Sequence, residues 1–476
     1  MLLRRLYDDR LAQASFLVGC QATGEAIIID PNRDIQQYLD AARDEKMRIV
    51  YVTETHIHAD FLSGSRELAA AAGARLLLSK EGGPDWQYAF AAAEGAQMIG
   101  EGSRFKVGNL AFEVWHAPGH TPEHVIFFVT DTPATDRPVG VFTGDFIFAG
   151  DVGRPDLLER AAQIAGTMET SARALFRSLR RFRALPDYLQ LWPGHGAGSA
   201  CGKALGAMPQ TTLGYERIAN WAFAIDDEER FVREVLAGQP EPPRYFTEMK
   251  RLNREGPAPL GGFREPPRLA AERLPALVES HALIIDTRRA DQFAAGHVPG
   301  TINVPLTKSF STYAGSIIPF DRDFYLIADE TQPAAAAQAA RDLAMIGLDR
   351  AAGAFWSGAL ARWAAAGRTL ATVKRLDVKE AAGRAARGEI TPLDVRNRSE
   401  WNEGHPAGVA CIPLSELGAR MAEAPKGRPL GVICQGGTRS AIASSLILAA
   451  GGREVIDVTG GFTEWERNGL PSERVA

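Results

Sequence analysis

The sequence predicts a multidomain α/β protein: one sandwich of strands and helices, followed by two smaller α/β domains built on parallel sheets. Three observations carry this. Short apolar runs of strand character alternate with helical stretches along the chain. A long segment of the C-terminal half occurs twice. Several apolar runs of the N-terminal half end directly in His or Asp, which places ligand-type side chains above a sheet edge.

The bulk properties bound the rest. A chain of 476 residues corresponds to several domains of about 100–200 residues each. Hydrophobic residues make up 45% and charged residues 23%, the composition of ordinary globular domains. A formal net charge of −5 with no long basic block argues against nucleic acid or an anionic membrane as partner. No apolar run approaches the roughly 18 residues a membrane span needs. The opening MLLRRLYDDRLAQASF is broken by charge and lacks the apolar centre of a signal peptide, so a cytoplasmic location is expected. Cys20, Cys201, Cys411 and Cys434 are too few and too scattered for a disulfide framework.

Residues 1–245 form the first expected domain. The runs SFLVGC, EAIIID, RIVYVTETH, LAFEVWHAPGH, HVIFFVT, VGVFTGD and LQLWPGHG read as strands, and DFLSGSRELAAAAG as a helix. At the strand ends stand His56, His58 and Asp60, then His120, Asp145 and His195. A single histidine there is ordinarily a satisfied structural residue. Six such residues after apolar runs, three of them beside glycine, point to a metal site.

REGPAPLGGFREPPR is rich in Pro, Gly and charge, and residues 246–268 read as a linker. Domains at 269–370 and 371–476 follow. In the repeat, Asp286 aligns with Asp394, His297 with His405 and Pro305 with Pro413, at one constant offset. In the second copy Cys434 sits between the strand RPLGVI and a helix. The backbone N–H groups of Gln435, Gly436, Gly437 and Thr438 converge with the helix N-terminus, and Arg439 adds a cation. A thiol held there is expected to be nucleophilic with a lowered pKa; the plainer reading is a buried cysteine at a strand end. The first copy has Ala328 or Asp329 at that place, in an acidic stretch without thiol, glycine or arginine. It reads as non-catalytic, a spacer or docking surface.

Through His56-x-His58-x-Asp60, His120, Asp145 and His195 the first domain resembles the metallo-β-lactamase superfamily. The resemblance implies an αββα sandwich with metal at one edge. Most hydrolases of that superfamily hold two metals, the second on the Asp of the motif and a histidine right after it. Here that next residue is Phe61, which cannot ligate, so one metal is expected. The one-metal branch is the persulfide dioxygenases, and the Phe61 variant resembles a bacterial branch of it fused to rhodanese domains. That resemblance implies one Fe(II) per chain on His56, His120 and Asp145. Two imidazoles and a carboxylate leave positions open for substrate and O2, as non-haem iron oxygenases require. GDFIFAGDVGRPDL resembles the segment after the iron-binding Asp, so Arg154 and Asp156 support the ligands or orient substrate, or else form a loop salt bridge. His58, Asp60 and His195 are expected to hydrogen-bond around the metal, and His116 and His124 to pack or face solvent.

Through DVR at 394–396, GH at 404–405 and the Cys434 loop, the second copy resembles the rhodanese family. That implies sulfur transfer through a Cys434 persulfide. The loop is shorter than the phosphate cradle of related phosphatases, which favours sulfur as the transferred group. Cys201, soon after His195, is a structural residue or a persulfide relay near the iron; Cys20 and Cys411 read as core. The joint resemblance implies oxidation of glutathione or coenzyme A persulfide by O2 to sulfite, coupled to thiosulfate formation at Cys434, with no organic cofactor and a homo-oligomeric assembly. The rival is a binuclear zinc thioester hydrolase of glyoxalase II type with rhodanese units appended. A third reading makes the repeat an interaction module.

Overall fold

The computed structural model describes residues 1–160, 166–451 and 453–475. It divides into two compact units, one of Met1–Phe263 with Met345–Gly347, the other of Arg264–Ala344 with Leu348–Ala476.

The first unit is two six-stranded sheets face to face. Leu2–Asp8, Gln13–Cys20, Glu25–Ile29, Arg48–Thr53, Arg75–Ser79 and Gln97–Ile99 lie side by side in chain order. The first three pair antiparallel and the rest parallel. Arg104–Val107, Leu110–His116, Val125–Asp131, Gly140–Gly144, Gln190–Pro193 and Thr211–Thr212 form the second sheet, also in chain order. Side-chain alternation builds the layers. Phe16, Val18, Ile27 and Ile29 meet Phe112, Val114, Phe127 and Phe142 between the sheets. The intervening Leu17, Ala26 and Ile28 turn outward onto Tyr38, Leu68 and Ala69 of helices Gln36–Asp44 and Ser65–Ala72. On the far side Ile126, Phe128 and Val141 pack on Leu175, Phe176, Leu179 and Phe182 of helix Met168–Arg183. The order is therefore α, β, β, α, as expected.

The stretch read as a linker, 246–268, differs from that expectation. Its first part is the helix Phe246–Glu255, with Phe246, Met249, Lys250 and Asn253 buried. Its apolar positions recur at helical spacing, and the Pro/Gly signal that defined the linker begins only after it. The first unit extends to Phe263.

The second unit repeats one plan. In the first copy Leu283–Asp286 is flanked by Ile302–Asn303 and Phe324–Ala328, with Ala351–Trp356 beyond, all parallel. In the second copy Thr391–Asp394 is flanked by Ala410–Cys411 and Leu430–Ile433, then Val455–Val458 and Lys374–Leu376, all parallel. Asp286 pairs with Ile327 and Asp394 with Ile433. This register puts Ala328, not Asp329, where Cys434 stands. Among the described residues no helix is long and apolar enough to cross a membrane.

Phe16 is 2% exposed and its ring centroid lies 5.1 Å from that of Phe142. Phe16→Ala is expected to lower the stability of the first unit by about 3–5 kcal/mol, read from the midpoint of its urea unfolding transition at unchanged slope.

Candidate functional site

Parallel strands bring their carboxyl ends to one edge. Strand Glu25–Ile29 ends at Asp30 and its neighbour Arg48–Thr53 runs into Glu54, Thr55 and His56. Asp30 fastens this corner: Oδ1 accepts from Thr55 N at 2.6 Å and Oδ2 from Thr55 Oγ1 at 2.9 Å. Thr55 Oγ1 spends its proton on Asp30, so its lone pair receives His56 Nδ1–H at 3.0 Å. His120 Nδ1–H donates to Arg154 O at 3.2 Å. Both tautomers are thereby set with the Nε2 lone pairs inward.

Those lone pairs converge. His56 Nε2 and His120 Nε2 lie 3.9 and 3.5 Å from Asp145 Oδ2. The three residues are each about 1% exposed, and one ligand atom from each falls within 4.8 Å of the others. Asp145 is held by its backbone: its N–H donates to His124 Nε2 at 3.1 Å. Gly144, just before it, has φ +50°, and a side chain there would strike Thr55 and His124. Among the described residues neither Asp145 carboxylate oxygen has a hydrogen-bond partner. Burial raises this carboxyl to about 6. A dehydrated carboxylate without donors, faced by two imidazole lone pairs, fits a divalent cation.

A second group adjoins the first. Asp60, His195 and Cys201 are buried and could also share an ion. His195 Nδ1–H donates to Ala12 O at 3.0 Å, and its Nε2 lies 3.3 Å from Asp60 Oδ2 and 3.5 Å from Asp145 Oδ1. The Asp60 carboxylate, too, has no hydrogen-bond partner among the described residues. Burial, with Asp60 and Asp145 adding to it, pushes the Cys201 thiol well up, so this set is short of one negative charge.

His58 turns away from both groups and hydrogen-bonds Asp30 through Nε2 at 3.1 Å. Burial opposes its charge, but Asp30, Glu54 and Asp60 outweigh burial and raise it to about 9. Phe61 is fully buried and lies on the His58 ring, centroids 4.4 Å apart. Asn253 of helix Phe246–Glu255 donates to His58 O and Phe61 O at 2.8 and 2.7 Å, and accepts from Ser63 N. Arg154 and Asp156 form a buried bidentate pair at 2.8 and 2.7 Å. Two further guanidinium hydrogens go to Ala200 O and Pro240 O. The part of Arg154 nearest the site is its carbonyl on His120. His116 is bound to Pro122 O at 2.7 Å; His124 stacks on His56 at 5.0 Å.

In the second unit Cys434 is 1% exposed. Gly437 N–H donates to its Sγ at 3.1 Å, and Thr438–Ala449 begins there. Phe462 N donates to Cys434 O and Thr463 N to Gln435 O, at 2.7 and 3.1 Å. Gly461, φ +62°, permits that approach; a methyl group there would collide with Cys434 O and Gln435 O. Arg439 stays within electrostatic reach of Cys434, yet its guanidinium is met by Glu400 at 2.6 and 2.7 Å. Tyr313 of the first copy has its hydroxyl pushed up by burial and is in electrostatic reach of Arg439, Cys434 and Glu400. The copies share their frame. Asp286–Arg288 and Asp394–Arg396 are buried ion pairs, and each arginine reaches a glycine carbonyl, Gly296 or Gly404. His297 stacks on Phe293 as His405 does on Trp401, at 3.9 and 3.7 Å.

Sequence reasoning placed His56, His120, Asp145 and Cys434 by motif. It missed Asp30, Asn253, Glu400 and Tyr313, which act through partners far away in the chain, and it read His124 as packing without its bond to Asp145 N. Only the strand-end position of Asp30 and the helical spacing of Asn253 offered a signal.

The Metallo-beta-lactamase superfamily model matches residues 8–195, and the Rhodanese-like domain model matches 270–365 and 377–468. The chain is 28% identical over 204 residues to the mitochondrial persulfide dioxygenase ETHE1 of Mus musculus, covering 41% of this chain and 68% of that protein. It is 32% identical over 157 residues to a hydroxyacylglutathione hydrolase of Methylobacterium nodulans, covering 33% of this chain and 52% of that protein. The crystal structure of a metallo-beta-lactamase from Staphylococcus aureus subsp. aureus COL is similar at 39% identity with a TM-score of 0.66, over 75% of this chain and 99% of that one.

The folded-state pKa of His58 is raised above the ordinary 6.5 to about 9. Its contribution to stability is therefore complete below pH 6.5 and lost as pH rises through about 9. Thermal melts of metal-free protein should show that loss, and His58→Gln should remove this component. Gly461→Ala should lower the stability of the second unit by about 1–3 kcal/mol, read from its urea unfolding midpoint, because the added methyl group meets Cys434 O and Gln435 O.

Proposed function

From the premise that this chain belongs to the metallo-β-lactamase superfamily and carries two rhodanese-like domains behind that unit, we propose that it is an Fe(II) persulfide dioxygenase joined to a sulfurtransferase. The observation that carries this is the His56, His120 and Asp145 group, two neutral imidazoles and one carboxylate, with Phe61 in place of a further ligand. Such a facial set leaves several coordination positions free.

In this reading His56 Nε2, His120 Nε2 and one Asp145 oxygen hold the iron. An iron held there would supply activation of O2 for oxidising the terminal sulfur of a thiol persulfide. The reaction RSSH + O2 + H2O → RSH + H2SO3 balances: the outer sulfur is oxidised, O2 is reduced, and the thiol leaves with a proton. The chain's own residues set the stage. Thr55 and the Arg154 carbonyl keep both imidazoles in the ligating tautomer. Phe61 and the His58 ring tilted against it, both buried, keep bulk water from that side. Asp60 and His195 stand ready to take the released proton. At the other site Cys434, as a persulfide, gives its outer sulfur to sulfite; thiosulfate leaves and the thiolate returns. Gly437 N–H steadies that thiolate. The first copy, with Ala328 at the matching position, transfers no sulfur. We place this chemistry in the cytoplasm, with glutathione or coenzyme A as carrier.

A second reading is favoured by the Asp60, His195 and Cys201 group: a binuclear hydrolase acting on thioesters, with Cys201 as the ligand that Phe61 does not provide. Metal analysis separates the two, since the first expects about one iron and the second about two zinc ions per chain.

Iron-loaded protein given glutathione persulfide or coenzyme A persulfide should consume O2 and release sulfite or thiosulfate. His120→Ala should cut uptake by roughly 100-fold or more and lose the metal. Cys434→Ser should keep uptake and stop thiosulfate formation. No uptake in protein confirmed to hold iron sinks the dioxygenase reading.

A further inference from the structure

The duplicated frame of the second unit carries an internal comparison. Two buried polar groups stand behind the Cys434 loop. Asp457 is 2% exposed; its Oδ1 accepts from Ser440 Oγ at 2.7 Å and its Oδ2 from Arg375 Nε at 3.1 Å. Ser440 is fully buried and also has Gly437 O within 3.1 Å. Its single hydrogen is shared between the two acceptors, as three-centre bonds at helix ends commonly are. Gly437, at φ +100°, is the residue whose N–H meets Cys434 Sγ at 3.1 Å. One chain of contacts thus runs from Arg375 through Asp457 and Ser440 to the turn that faces the sulfur.

The copy without a thiol has the same strand positions and neither group. Val432 and Arg375 pair with Asp457, as Leu326 and Arg268 pair with Ala354. Ala354 therefore occupies the place of Asp457. Arg268, standing where Arg375 does, lies 5.4 Å over the Trp356 ring instead. The helix after the first-copy loop opens with Ala335, Ala336 and Ala337, so no hydroxyl answers to Ser440. Yet that copy keeps its parallel sheet, its buried Asp–Arg pair and its stacked histidine. The frame does not depend on Asp457 and Ser440. A buried carboxylate is costly to dehydrate even when paired. Its presence only beside the thiol marks a task at the thiol.

We propose that Asp457 is a positioning residue of the sulfur-transfer site: through Ser440 it fixes the Gly437 turn and so aims the Gly437 N–H at the Cys434 sulfur. An N–H held on a thiolate favours the charged form and lowers the pH at which the thiol reacts. Glycine gives the turn its conformation and also its freedom to leave it, so the turn needs an outside hold. The inference rests on the reading of Cys434 as the sulfur-carrying thiol.

The pH profile of Cys434 alkylation by iodoacetamide in the full chain tests this, followed by mass spectrometry of the peptide that carries Cys434. Asp457→Ala and Ser440→Ala should each move the profile upward by about one pH unit. The double variant should move it no further than either alone. Loss of a negative charge near the sulfur would by itself act the other way, favouring the thiolate. Asp457→Asn keeps an acceptor for Ser440 and drops the charge, so its profile should stay at or below the wild-type position. Arg439, Glu400 and Tyr313, which share this site, are untouched by these variants. A profile unchanged or lowered in Asp457→Ala overturns the proposal. So does an upward shift that Ser440→Ala fails to reproduce, because the hold then does not run through the hydroxyl. If Asp457→Ala fails to fold, Ser440→Ala decides alone, and an unchanged profile overturns the proposal. Wild-type protein that carries no sulfur from thiosulfate to cyanide, with the alkylation shifts as described, sinks the sulfur-transfer reading instead.

Discussion

Everything at the edge of the first unit depends on one dehydrated carboxylate. Asp145 is about 1% exposed, and among the described residues neither oxygen has a hydrogen-bond donor. An isolated carboxylate in such a place is unstable by far more than a typical domain can tolerate. The fold answers by surrounding it with the lone pairs of His56, His120 and His195, which draws a cation rather than a proton donor. The rest of the corner serves that arrangement. Asp30 and Thr55 fix one imidazole, the Arg154 carbonyl fixes another, and His124 fixes the Asp145 backbone.

The second unit shows the opposite treatment of a duplicated frame. Both copies keep the Asp–Arg ion pair, its reach to a glycine carbonyl and the stacked histidine. These features hold a strand end and the following helix in place whether or not any chemistry occurs there. The chemistry needs further parts, and only the second copy has them: Cys434, the glycine turn that lets Gly437 N–H face the sulfur, and Gly461 beneath the loop. The frame is common to both copies, and on the proposed chemistry the loop of the second copy carries the function. Tyr313 shows that the copy without a thiol still shapes the electrostatics around Cys434.

Much of this was legible in the sequence because the residues that matter sit at strand ends. The His-x-His-x-Asp stretch, the Asp after the TGD strand and the Cys after GVI each follow an apolar run, so period and motif locate them together. The layer order was legible for the same reason. What could not be read were partners distant in the chain. Asp30 is one of many aspartates until its strand pairs with Arg48–Thr53. Lys250 and Asn253 lay inside an expected linker, because the Pro/Gly-rich stretch after Glu255 coloured its neighbourhood. Arg439 read only as a cation of the loop, because nothing local reveals that Glu400 will meet it.

The enclosure of Cys434 carries a consequence for durability. Oxidation of a thiol past the sulfenic stage cannot ordinarily be undone, and susceptibility follows exposure as well as thiolate character. At 1% exposure, with its carbonyl tied to Phe462 N, this sulfur is sheltered from oxidants that arrive by simple collision. Only a reagent that opens or fits the loop reaches it. On the proposed chemistry the chain works among oxygen and reactive sulfur species, so slow access protects the nucleophile as well as selecting its partner, and that exchanges turnover rate for the working lifetime of each molecule.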